Sequence, residues 1–324
     1  MDNLTHSLVG ALIGQAGLKK KTGLGMPALI IGANLPDVDA ACFFWLEGTE
    51  HLGFRRGITH GPPAWVLLPL VLAGMLWWFD RWQTKRGKRP EGRPPVNFKW
   101  LYLLSFIGCL SHPLFDWFNV YGIRLLEPFS SQWFYGDTLF IIDVWLWAIL
   151  IASVWWSRRK EKRGANWTRP AWIGSAVVVA YIGVNTLISL QQQELYETQN
   201  GPGEMAIASP MPIWSWQREA IVGADGRYVI YAPEAQALEG AGPSTQIKPE
   251  YFLEVGECVL EPAIAGAKGD SQAESFLFWS RAPFAQRAED GSVVLYDARF
   301  YDPRARGRFS VALPDVECEE LTAP

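Results

Sequence analysis

The amino-acid sequence predicts a mainly α, polytopic membrane region of about six helices, the second broken at Pro36, followed by a small C-terminal β-rich domain. Six apolar runs, at 4–18, 24–46, 63–79, 100–118, 139–156 and 171–190, approach the roughly 20 residues that a helix needs to cross about 30 Å of hydrocarbon. The composition turns polar and rich in Gly and Pro near residue 190, which divides the chain into 1–190 and 191–324. Aromatic residues make up 14% of the chain, and its 17 Trp suit bilayer interfaces, where indole rings prefer to sit.

The first run is short and lacks a basic leading region. Lys19, Lys20 and Lys21 follow it where a signal peptide would carry a small-residue cleavage site, so it reads as a retained helix. In the second run Pro36 removes a backbone donor and disfavours helix at Leu35, so the helix should break at Asn34-Leu35-Pro36, with Asp37 and Asp39 opening a new segment. Of the 19 Lys and Arg before residue 191, 16 fall at 19–21, 81–99 and 158–169, the connections after helices one, three and five. The positive-inside rule assigns these to the cytoplasm and both termini to the outer side.

Beyond 190 the segments Arg227–Ala232, Tyr251–Leu260, Ser275–Ser280, Ser292–Phe300 and Arg308–Leu313 have strand composition and are bounded by turn formers such as Asp225-Gly226 and Asp290-Gly291. This part holds 10 basic and 21 acidic residues, an acidic domain expected outside the cytoplasm. Cys258 and Cys318 are its two cysteines, and in an oxidising compartment they either pair or stand as independent thiols. The basic runs are explained by topology, so the charge pattern gives no support to nucleic-acid binding.

His6, Asp37, Asp39, His60, His112 and Asp116 lie in or beside the apolar runs, where an ionisable group costs several kcal/mol unless it is paired, hydrated or metal-bound. The predicted topology brings all six to one depth. Asp37 and Asp39 lie roughly 20 Å along helix two from its inner end, and His112 and Asp116 about 18 and 24 Å along helix four. His6 and His60 mark outer ends. Imidazole with carboxylate is a ligand set for zinc, and for iron or manganese where carboxylates are numerous. Either one divalent ion with an open position or two ions sharing a carboxylate would fit, and the reaction class implied is metal-assisted hydrolysis. Arg56 is expected to neutralise an anionic oxygen, and Asp143, inside the fifth run, is a further catalytic candidate. Plainer roles compete: a lone His can bond a neighbouring helix, Thr5-His6 and Asp37 can cap helices, and Asp137 can cap helix five. His51, in the acidic outer loop, reads as a solvated surface residue.

The motifs Asp2-Asn3-Leu4-Thr5-His6, Leu35-Pro36-Asp37-Val38-Asp39, Arg56-Gly57-Ile58-Thr59-His60 and Ser111-His112-Pro113-Leu114-Phe115-Asp116 occur in this order. They resemble those of the bacterial inner-membrane proteins classed as membrane-bound metal-dependent hydrolases, the family with a LexA-regulated member. Gly136-Asp137 to Asp143 resembles the longer members, which carry a similar extracytoplasmic tail. Where that family often has His, this chain has Arg55. The resemblance implies a multi-pass protein of the bacterial inner (plasma) membrane and a hydrolase distantly similar to zinc-dependent phospholipase C and P1-type nuclease folds.

The expected function is hydrolysis of a phosphoester or related ester, lipid included, at the outer interface. The alternative is a non-catalytic membrane protein in which the same residues bind a structural metal or pass an ion. Expected partners are membrane lipids and a lipid or phosphoester substrate, with no nucleic acid; no feature sets an oligomeric state.

Overall fold

The computed structural model describes residues 1–200, 204–233 and 252–321. The chain folds as two compact units, one of residues 1–39 and 56–185, the other of 40–55 and 186–324. The first is helical. It contains α1 (Asn3–Gln15), α2 (Gly25–Gly32), α4 (Pro62–Lys85), α5 (Phe98–Trp117), α6 (Val144–Lys162) and most of α7 (Thr168–Asn200). Between α2 and α4 lie a 3-10 segment, Leu35–Phe44, and the five-residue α3 (Glu50–Phe54).

The break expected at Pro36 is present: α2 and the following 3-10 segment are bent by 49°. Two helices, α4 and α7, are long and apolar enough to cross a membrane, and the bent pair makes a third if it is one span. The expectation of about six helices is corrected in count, since the described residues hold nine α-helices. The short α3 and two helices between residues 260 and 279 account for the excess of three. At 13 residues α1 rises only about 20 Å, short of the hydrocarbon thickness. Buried Ser105, Ser111, His112 and Asp116 reduce the apolarity of α5, and the basic last turn reduces that of α6.

Glycines set the packing that positions the site. A Cβ on Gly108 of α5 would lie 2.5 Å from the Leu29 carbonyl oxygen of α2, and one on Gly32 would lie 2.7 Å from that of Ser105. The two backbones are therefore in direct contact, the small-residue mode of helix association. Beside them Leu29, Leu72, Leu101 and Leu104 form one apolar core, while Leu12, Leu146, Leu150 and Val178 form a second.

The second unit carries a four-stranded antiparallel sheet, β1 (Met205–Pro210), β2 (Arg218–Ala224), β3 (Arg227–Tyr231) and β4 (Phe252–Val255), paired in that order. A three-stranded antiparallel sheet follows from β5 (Pro283–Arg287), β6 (Ser292–Asp297) and β7 (Ser310–Glu317). Ile207, Ile221, Ile230 and Phe284 pack in one core drawn from both sheets. Asp225-Gly226 forms the β2–β3 turn with both residues at positive φ, as a two-residue hairpin of right-handed strands requires.

The strand expected at Ser275–Ser280 is instead part of a helix, α9 (Ser271–Trp279), preceded by α8 (Leu260–Gly266). Asp270 caps α9 by accepting from the amides of Gln272 and Ala273, and Ala273, Phe276 and Trp279 are buried at helical spacing. Tyr251, the first residue of another expected strand, lies outside the described residues; the strand there is Phe252–Val255, and Leu260, its expected last residue, opens α8. Residues 40–55 join this unit through α3, where the Thr49 hydroxyl donates to the Gln272 carbonyl at 2.8 Å. His51 is half-buried rather than solvated, with Nδ1 2.8 Å from the Gly48 carbonyl and its ring against Phe43. Cys258 and Cys318 form a disulfide, with α-carbons 5.2 Å apart. In the chain-entropy treatment, closing a loop of 60 residues stabilises by about 4 kcal/mol.

Candidate metal centre

The first unit brings His6, Asp37, Asp39, Arg56, His60, His112 and Asp116 to one place. The start of α1 is held by Asp2, whose carboxylate accepts from the Leu4 and Thr5 amides at 2.9 and 3.1 Å and from the Thr5 hydroxyl at 2.6 Å. The Trp147 indole N–H donates to both Asp2 and Thr5, tying this cap to α6. His6, one residue on, is thereby buried against the centre.

The break after α2 serves His112. In a continuous helix the Ala33 carbonyl would accept from the Asp37 amide, but that amide turns to Asn34. The Ala33 oxygen instead receives His112 Nδ1–H at 2.7 Å, which turns Nε2 inward. His60 is oriented in a similar way. Thr59 Oγ1 donates to Asp39 Oδ2 at 3.1 Å and accepts from His60 Nδ1–H at 2.9 Å, again leaving Nε2 toward the centre. Burial lowers the His60 pKa from its ordinary value, which favours the neutral imidazole that ligation requires.

Asp37, His60, His112 and Asp116 each offer one ligand atom, and the four atoms lie within 4.8 Å of one another. His60 Nε2 and His112 Nε2 are 3.7 and 3.5 Å from Asp116 Oδ2, and His112 Nε2 is 3.7 Å from Asp37 Oδ1. Ligands bonded to one tetrahedral zinc at 2.0 to 2.1 Å stand about 3.4 Å apart, so the spacing fits a shared ion. The chemistry fits as well: His60 Nε2 and His112 Nε2 are buried without a hydrogen-bond partner, a costly arrangement for polar atoms unless a cation satisfies them, and they face Asp116 Oδ2, whose charge is met by Arg56.

The other expected residues take different places. His6 lies on the opposite side of Asp116, with Nε2 3.3 Å from Oδ1 and its ring stacked on that of His112 at 3.8 Å. The Met1 amine also meets that oxygen. Asp39 sits behind His60, accepting from Thr59 and from the Arg56 amide at 2.8 Å. The Arg56 guanidinium pairs with Asp116 Oδ2 at 3.1 Å, donates to Asn119 and the Gly122 carbonyl at 3.0 Å each, and stacks over Tyr121.

Arg56 holds a left-handed backbone, φ 56°, which is unfavourable for a side-chain-bearing residue. Its amide bond to Asp39 and its carbonyl bond from the Arg124 amide hold it there. Asp143 is not drawn into the cluster. It caps α6 through the Trp145 and Leu146 amides and accepts from the Tyr181 hydroxyl at 2.9 Å. The capping role expected of Asp137 thus falls to Asp143. Arg55 belongs to the other unit, with its guanidinium over the Phe43 ring.

Thr59, Asn119 and the Ala33 carbonyl are the contributors that sequence reasoning missed. Thr59 was visible within its motif, and Asn119 follows Asp116 by three residues. The Ala33 carbonyl has no side-chain signature.

The model of the YdjM inner membrane protein family matches residues 1–191. The chain belongs to this family. The YdjM segment contains every residue of the cluster and ends within α7, whereas the described β strands lie beyond it. Similarity to the uncharacterized protein YfhP of Bacillus subtilis (strain 168) runs further, at 24% identity over 326 residues that cover 95% of this chain and 88% of that protein. No solved structure matches the chain significantly. YdjM membership supports a bacterial inner-membrane protein but names no reaction, so the hydrolase class implied by the motifs is carried forward as a proposal.

Proposed function

We propose that the centre binds a divalent metal ion and serves hydrolysis of a phosphoester or related ester, lipids included, at the outer face of the bacterial inner membrane. The observation that carries this reading is the convergence of His60 Nε2 and His112 Nε2, buried and without hydrogen-bond partners, on the carboxylates of Asp116 and Asp37. His60 and His112 would hold the ion through Nε2, and Asp37 and Asp116 through carboxylate oxygens. Zinc suits the two imidazoles, and the two carboxylates also admit iron or manganese. Such an ion, when bound, supplies a lowered water pKa and polarises an ester oxygen.

The protein's own groups do the rest. Thr59 with Asp39 and the Ala33 carbonyl fix the two imidazoles in their ligating tautomers. Arg56 positions Asp116 and offsets its charge. Asp37 is the partly exposed member of the four, which makes its side the approach for substrate. Asp143 acts at a distance, by fixing the start of α6.

A multi-pass topology with the C-terminal unit outside the cytoplasm agrees with the three basic loops. Residues 40–55 and 186–324 share one compact unit, which agrees with the connection after the second run and the C-terminal region lying on one face. Full burial of His60, His112 and Asp116 favours a second reading, a closed structural metal site without turnover.

A single experiment separates the two. Detergent-purified protein is assayed on phospholipid and soluble phosphodiesters, with and without chelator, beside Asp37→Asn and His60→Ala. Chelator-sensitive release of product by wild type, lost in His60→Ala, supports hydrolysis. Stoichiometric metal without turnover on any of these esters supports the structural reading.

A further inference from the structure

The turn joining β1 to β2 carries apolar side chains at its tip. Ile213 is exposed, Trp214 is 50% exposed and Trp216 is 43% exposed, with the two indoles edge to face at 5.3 Å. Water is a poor environment for such a tip, and an exposed cluster of this kind marks an interaction site. Two backbone hydrogen bonds close the turn. The Gln217 amide donates to the Trp214 carbonyl at 2.7 Å, and the Met211 amide donates to the Gln217 carbonyl at 3.2 Å.

One buried side chain fixes the level of this tip. Arg218 donates through Nη1 to the Ser215 carbonyl and through Nε to Ser189 Oγ of α7 at 2.9 Å. Ser189 lies between Leu187 and Leu190, both exposed along the apolar stretch of α7, and just before the polar run Gln191-Gln192-Gln193-Glu194. It is about 25 Å along α7 from exposed Trp172, close to one thickness of hydrocarbon. The tip is thus bonded to α7 where a membrane span passes from acyl chains to headgroups, the level that Trp prefers. The same unit shows aromatic side chains at a second place, where the broken second run ends: Phe44 is 91% exposed and Trp45 is 60% exposed.

We infer that the C-terminal β unit is seated in the headgroup region of the membrane from which α7 emerges, through the Ile213-Trp214-Ser215-Trp216 turn, so that its partner is the lipid surface itself. This rests on α7 crossing the membrane and is independent of the metal reading.

The test uses the full chain in nanodiscs of phosphatidylethanolamine and phosphatidylglycerol. Cys42 and Cys109, which lie outside the disulfide, are first replaced by Ala. A nitroxide is then placed singly through Trp214→Cys, Trp216→Cys, Val179→Cys on the exposed face of α7, and Glu289→Cys at the exposed β5–β6 turn. Power saturation compares collision with oxygen, which partitions into lipid, and with a water-soluble nickel chelate. The expected oxygen-to-nickel ratio is greatest at 179, intermediate at 214 and 216, and several-fold lower at 289. Ratios at 214 and 216 equal to that at 289, with 179 still deep, would overturn the inference by standing the unit clear of lipid. An aqueous ratio at 179 would overturn it together with the α7 span, leaving the metal centre untouched. Spin–spin broadening at 214 without oxygen access would overturn it by assigning the turn to a second copy of the chain.

Discussion

Replacing Thr59 with Val tests whether the centre is built as a metal site down to its supporting hydrogen bonds. Val keeps the shape of Thr but removes the hydroxyl that accepts from His60 Nδ1–H at 2.9 Å and donates to Asp39 Oδ2 at 3.1 Å. His60 loses the group that fixes its tautomer and ring orientation, while Asp39 keeps its bond from the Arg56 amide at 2.8 Å, so the 56–60 loop retains an anchor. Removing such a partner costs about 10- to 100-fold in metal affinity, or roughly 1.4 to 2.8 kcal/mol. The assay is competition for zinc against a fluorescent chelator in detergent, with circular dichroism confirming the helical fold. Thr59→Ser, which restores the hydroxyl, is expected to bind nearly as wild type. Affinity of Thr59→Val indistinguishable from wild type would refute the orientation argument, and equal loss in Val and Ser would assign the effect to the Thr methyl instead.

Gly108→Ala touches no ligand, yet its Cβ would stand 2.5 Å from the Leu29 oxygen and 3.1 Å from the Ala33 nitrogen. Separation of α5 from α2 is expected to destabilise by about 1 to 3 kcal/mol and to weaken metal binding through the His112–Ala33 bond, measured by thermal melts and the same zinc competition. In the C-terminal unit, burial alone would raise the Asp297 carboxyl, but the Arg299 guanidinium beside it and bonds from Ser280 and the Arg299 amide hold it below its ordinary value. Its stabilisation is therefore full above the unfolded carboxylate pKa of about 3.9 and is lost as pH falls through the lower folded value; Asp297→Asn should abolish that acid limb in amide exchange of β6 followed against pH. A reporter active only outside the cytoplasm should work when fused after Pro324 and fail when placed in the 81–99 loop; the reverse pattern would put the metal centre on the cytoplasmic side.

The helical half was legible because apolar length and proline leave strong marks. Each expected run has a helix at its core, and Pro36 announced the break that presents Asp37 and frees the Ala33 carbonyl for His112. The metal-centre candidates were legible for a related reason: hydrocarbon makes His and Asp conspicuous, and charge asymmetry gave them a common depth. Partition among them was not legible. Whether Asp37 or Asp39 faces the four-member cluster depends on a 3-10 turn and on Thr59, and Asp39 turns out to support His60 from behind. Asp143 looked reactive in an apolar run, but capping of α6 is a local role that hydropathy does not distinguish.

In the C-terminal unit the aromatic content of 275–280 suggested a strand, although the Asp270 cap and the spacing of Ala273, Phe276 and Trp279 carry the opposite signal. The strands β1, β2 and β5 were missed because Ala, Gly, Ser, Pro, Gln and charged residues dilute their strand composition. Membership of residues 40–55 in that unit rests on contacts such as Thr49 to Gln272, 223 positions apart, for which no local pattern exists.

Binding of a metal ion by Asp37, His60, His112 and Asp116 is open to measurement. Elemental analysis of detergent-purified wild type, His112→Ala and Asp116→Asn, each loaded with zinc, manganese or iron and dialysed against a weak chelator, tests it directly. A stoichiometric ion retained by wild type and lost from both variants, with their helical content unchanged, is the predicted result. Wild type that retains none of the three metals, or variants that retain as much as wild type, would contradict it.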